Sequence, residues 1–97
     1  GQLGFVNLVA DAAPEADLVQ RLKADPDDSE ARYGLAAYRV TRGDYEGALE
    51  ELLTLMKKDR SYGEDAARKG MLSVFDLLGG EGKLVARYRA KMLSALY

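Results

Sequence analysis

The sequence predicts an all-α fold of stacked antiparallel helix pairs. Three observations carry that expectation. Apolar residues recur at helical spacing in one segment after another, and no stretch alternates as a strand would. Glycine, proline and aspartate fall between those segments as helix stops and starts. The intervening connections are short, which places consecutive helices side by side and antiparallel.

Taken in order, the first helical segment is Leu3 to Ala12, where Leu3, Phe5, Val6, Leu8 and Val9 lie close together. Pro14 suits a first helical position, with Glu15 and Asp17 placed for the positive end of the helix dipole. This second helix runs to about Ala24 and stops at Asp25-Pro26, because a residue before proline avoids helical geometry. Asp28 or Ser29 caps a third helix, Glu30 to Arg42, and a fourth runs from Tyr45 to Lys58. Ser61 and Glu64 are spaced as a capping box for a fifth helix, whose stripe of Ala67, Met71, Val74, Phe75 and Leu78 ends at Gly79-Gly80. The sixth, Lys83 to Tyr97, gathers Leu84, Val85, Tyr88, Met92, Ala95 and Leu96 on one side and Lys83, Arg87 and Lys91 on another.

Composition narrows the function. The chain has 97 residues, 47% apolar and 31% charged, which suits one small globular domain. With no cysteine there is no disulfide, thiolate metal site or redox centre, and with no histidine the commonest proton-transfer group near neutral pH is missing. Asp27-Asp28, Glu50-Glu51 and Glu64-Asp65 are carboxylate pairs, but adjacent helical residues point in different directions. Gly79-Gly80-Glu81-Gly82 follows a helix and lacks the strand and Lys-Ser/Thr context of a phosphate loop. The expectation is therefore a non-catalytic chain without cofactor or metal. Net charge is −2, and all 16 acidic residues precede Lys83. The basic last helix lacks the stacking aromatics of a nucleic-acid groove, so no nucleic-acid partner is expected. No apolar run reaches membrane-spanning length, so no membrane partner is expected either. The opening residues lack the basic flank of a secretory signal, which makes a cytoplasmic location the expectation.

Arg42-Gly43-Asp44 matches the tripeptide read by cell-adhesion receptors. Turn chemistry explains it more simply. Gly43 can adopt the left-handed conformation that ends a helix, and Asp44 can accept a hydrogen bond from the next helix's first turn.

The unit around this corner has the length and spacing of a tetratricopeptide repeat, a 34-residue helix-turn-helix. With Ser29 first, Leu35, Ala36, Gly43, Tyr45, Ala48, Leu52 and Leu55 fall on the motif. Asp25-Pro26 and Asp59-Arg60 are 34 residues apart. The expected organisation is one domain over 1–97, with its best repeat at 29–62, the second half of a preceding repeat at 14–28, and a C-terminal helix pair at 63–97. Arg32 and Arg39 stand where the motif usually has an aromatic, and Arg60 where it has proline. Gly34, Gly47 and Gly70 lie inside helices, each costing about 1 kcal/mol relative to alanine unless close packing needs it.

More narrowly, Asp25-Pro26-Asp27-Asp28, this repeat, Asp65-Ala66-Ala67-Arg68, Phe75, Leu78-Gly79 and Val85-Ala86-Arg87-Tyr88-Arg89 form a recognisable set. Together they resemble the C-terminal region of bacterial thioredoxin-fold proteins with a tetratricopeptide extension, the chaperedoxin type of co-chaperone. The resemblance implies a cytoplasmic interaction arm that binds unfolded clients and a chaperonin or Hsp70 system. It also implies that any thiol chemistry belongs to a thioredoxin part outside these residues.

Counted along the motif, the groove positions are Tyr33, Ala37, Val40 and Thr41, with Lys83, Arg87 and Lys91 as a second candidate protein-binding set. Tyr33 and Ala37 stand where carboxylate-clamping arrays carry lysine and asparagine, which argues for a wider, partly apolar contact. The alternative reading is structural: the chain caps an array, or pairs with a second copy as a homodimer when isolated, since about three repeats are usually needed for stability.

Overall fold

The computed structural model describes residues 14–96. The expected helix over Leu3 to Ala12 lies outside them. Five helices form the described part: α1 Glu15–Ala24, α2 Ser29–Thr41, α3 Tyr45–Lys58, α4 Ala66–Leu77 and α5 Lys83–Leu96. No strand occurs among the described residues.

The helix ends follow from local chemistry. Pro14 sits at the N-cap of α1, one residue before the helix, with Glu15 and Asp17 in the first turn. Asp28 caps α2, its Oδ1 accepting a hydrogen bond from the Ala31 N–H at 3.1 Å. Ser29 instead donates from Oγ to Asp59 at 2.7 Å, tying the start of α2 to the end of α3. At the α2–α3 corner Gly43 takes a φ of 79°. The Asp44 N–H reaches back to the Arg39 carbonyl at 2.9 Å and the Gly43 N–H to that of Val40 at 3.0 Å, the paired bonds of a Schellman motif. Asp44 then caps α3 by accepting from the Gly47 N–H at 3.0 Å. The same C-terminal motif closes α4, with the Gly80 N–H on the Phe75 carbonyl at 2.8 Å.

The expected capping box at Ser61 and Glu64 does not form. The helix starts at Ala66, and Asp65 precedes it in a left-handed conformation with no side-chain cap bond. Gly63, Glu64 and Asp65 all have positive φ, at 57°, 57° and 68°. A capping box needs helical residues directly after its serine, and this left-handed run denies it that geometry. Residues 60–65 instead form a turn in which the Ser61 carbonyl accepts from the Glu64 N–H at 3.2 Å.

The core is built around α3. Ala48, Leu49, Leu52, Leu53, Leu55 and Met56 are buried along it. Ala67, Met71, Val74 and Phe75 of α4 and Val85, Tyr88 and Met92 of α5 join the same cluster. Helix α3 therefore packs against α2, α4 and α5, whereas α1 packs against α2 and buries only Leu18. Two interior glycines have a packing reason. A Cβ at Gly34 would lie 2.9 Å from Leu18 Cδ1, and one at Gly70 would lie 3.1 Å from Leu52 Cδ2. Close helix approach is what both positions require.

Candidate functional site

The side chains expected from the sequence to meet a partner lie on two helices, α2 and α5. On α2, Tyr33 is half-buried at the edge of the core, its ring 6.1 Å from that of Tyr62 and tilted by 51°. Tyr33 also faces Gly70 of α4, where a Cβ would lie 3.5 Å from its ring. Burial raises the phenol pKa of both tyrosines, so both stay neutral at physiological pH. Val40 is partly buried against the same cluster, and Thr41 is exposed with its hydroxyl donating to the Tyr38 carbonyl at 2.7 Å. Ala37 is only 1% exposed. It lies in the core and offers a partner no surface; its small side chain serves helix packing.

On α5 the three candidate cations have different settings. Lys83 is exposed at the first position of the helix. Arg87 pairs with Glu46 of α3 at 3.4 Å, both side chains more than half exposed. Lys91 places its ammonium 4.9 Å from the centre of the Tyr88 ring. Attraction between the ammonium and the ring's negative face favours that geometry. Tyr88 is itself buried, near the Glu50 carboxylate of α3. Burial first, then that carboxylate, raises its pKa.

Between α3 and α5 lies an open cleft of about 370 Å³ lined by Glu50, Leu53, Thr54, Lys57, Lys91, Ser94 and Ala95. Only Lys91 of this set is among the sequence-predicted site residues. Glu50, Leu53, Thr54 and Lys57 follow one face of α3 at helical spacing, and Lys91, Ser94 and Ala95 do so on α5. Those stripes are legible in the sequence; the return of α5 onto α3, which makes them face one another, is not.

The arginines that replace motif aromatics have an assignable role. Arg32 and Arg39 share Glu51 across the α2–α3 seam, at 2.8 and 3.5 Å, with Glu51's side chain only 16% exposed. Arg39 also holds Asp44 at 2.9 Å. An ionic seam thus takes the place of an aromatic one. Arg60, at the usual proline position, donates to the Ala95 carbonyl at 2.7 Å and so fastens the last turn of α5. The adhesion tripeptide is similarly engaged: Arg42 pairs with Glu15 and Asp44 caps α3.

Among the described residues, no three His, Cys, Asp or Glu side chains gather as a metal site, and no helix is long and apolar enough to cross a membrane. Paired antiparallel helices around a shared apolar seam, with mixed polar and aromatic faces left over, define a helical-repeat protein of the kind that binds other proteins. A family model described as tetratricopeptide repeat matches residues 9–97, so the chain belongs to the tetratricopeptide repeat family. No curated protein and no solved structure matches it. Tetratricopeptide domains generally mediate protein–protein interaction and are typically non-catalytic.

Proposed function

We propose that this domain is the non-catalytic partner-binding arm of a cytoplasmic thioredoxin-fold co-chaperone, engaging unfolded clients or a chaperonin or Hsp70 system. Family membership supports the interaction role, and the resemblance of Asp25-Pro26-Asp27-Asp28 and Val85-Ala86-Arg87-Tyr88-Arg89 supports the co-chaperone setting. One observation carries the choice of surface: the tilted Tyr33–Tyr62 pair is neutral and only partly buried, and past the buried Ala37 α2 also presents partly buried Val40 and exposed Thr41. Such a face suits an unfolded polypeptide, which presents apolar side chains and unpaired backbone rather than one fixed charge.

The test is retention of a chemically unfolded model protein, and separately of purified chaperonin, on the immobilised domain. Tyr33→Ala, Val40→Ala and Thr41→Glu weaken client retention while far-UV circular dichroism keeps its helical signal. Retention unaltered in all three variants removes the α2 face from the function. Retention of neither protein by the unmodified domain removes the co-chaperone reading, and self-association in its place favours the structural role of a capping or pairing module.

A further inference from the structure

The cleft between α3 and α5 carries a charge pattern that the proposed client surface does not use. Lys57 and Lys91 line it, together with the hydroxyl-bearing Thr54 and Ser94. Among the described residues neither Lys57 nor Lys91 makes a salt bridge, and Lys91 lies against the Tyr88 ring. Arg60 adds a third cation at one end through its bond to the Ala95 carbonyl. The lining holds one carboxylate, the exposed Glu50, against the two lysines. In a chain of net charge −2, this is a locally positive recess. Its floor is apolar, with Leu53 buried and Ala95 partly so.

We propose that this cleft receives a short acidic peptide segment of a partner protein. Lys57 and Lys91 hold its carboxylates, Thr54 and Ser94 bond its backbone or side-chain oxygens, and Leu53 and Ala95 take an adjoining aliphatic side chain. Size supports a short segment: about 370 Å³ lies at the low end of the roughly 300–1,000 Å³ typical of small-ligand pockets, so it admits a few side chains and not a docked helix. Position matters too. The cleft lies between α3 and α5, while the proposed client face is on α2. One domain can thus hold a client on one surface and an acidic segment on another. The assignment rests on the interaction reading above and specifies a second site within it.

Fluorescence anisotropy with the 97-residue domain tests it, using a labelled synthetic peptide Glu-Leu-Glu-Glu-Leu and its counterpart Gln-Leu-Gln-Gln-Leu. The acidic peptide binds in low salt and shifts the amide resonances of Thr54 and Ser94. The glutamine peptide binds about tenfold more weakly, as loss of paired charges implies. Lys57→Glu combined with Lys91→Glu costs a similar factor with helicity unchanged, the Lys57→Gln and Lys91→Gln variants each cost part of it, and Lys69→Glu on α4 costs nothing. Equal affinity for both peptides, or an unchanged affinity in the double variant, overturns the proposal. So does a single-stranded RNA oligonucleotide that binds more tightly than the peptide and is lost with the same two lysines. If the double variant still retains unfolded protein while the unmodified domain binds no acidic peptide, the cleft assignment fails and the broader reading stands. If the unmodified domain retains no protein of any kind, the broader reading fails.

Discussion

At the scale of single residues, aspartates do more here than the pairing of carboxylates in the sequence suggests. Asp28 and Asp44 each cap a helix and also accept from an arginine, Arg21 and Arg39 respectively. For Asp44 the Gly47 N–H, and then Arg39, lower the carboxyl pKa below its ordinary value of 3.8. For Asp28 the Arg21 guanidinium leads and the Ala31 N–H follows. A carboxyl whose folded pKa lies below its unfolded one stabilises the fold at every pH above the unfolded value. That contribution disappears as pH falls through the lower, folded value. Asp44→Ala should therefore lower the melting temperature at neutral pH by a few degrees. The gap to the parent protein narrows as pH drops below 4 and closes once the folded carboxyl is protonated. Thermal melts followed by circular dichroism across that range check it; a gap that persists in strong acid means that Asp44 acts through something other than its charge.

At the scale of elements, interior glycines separate propensity from packing. An alanine in place of a helical glycine ordinarily gains about 1 kcal/mol. At Gly70 the added methyl would press on Leu52, which is fully buried on α3 and has no room to withdraw. Overpacking of this kind costs about 1–3 kcal/mol, enough to reverse the sign. Gly70→Ala is thus expected to be destabilising in urea titrations, and a stabilised variant would show that α4 sits further from α3 than described. Helix type, order and most boundaries were legible from periodicity and from local stop and start residues, as Asp28, Gly43 and Asp44 illustrate. Ser61 and Glu64 misled because a capping box is a statement about spacing, and spacing does not reveal that residues 63–65 turn left-handed. Ala37 misled for a related reason: a motif position names a face of the helix, but only the packed neighbours decide whether that face reaches solvent. The cleft was half-legible, as two helical stripes whose meeting depends on long-range packing.

At the scale of the whole molecule, the helices are not equally tied in. Removing α3 from the assembly would strip α2, α4 and α5 of a shared partner, whereas α1 contributes one buried leucine and contacts α2. Free energies of local opening follow such differences in buried contact. Native-state hydrogen exchange should find the amides of α3 opening only with global unfolding and those of α1 opening well below that limit. Protection of α1 equal to that of α3 would mean that something besides α2 holds it.

The Arg60–Ala95 bond carries a last consequence. It ties the turn between α3 and α4 to the last turn of α5, across 35 positions of sequence. Fraying of the last turn of α5 and loosening of residues 60–65 are therefore linked, since whatever frees one end removes a restraint on the other.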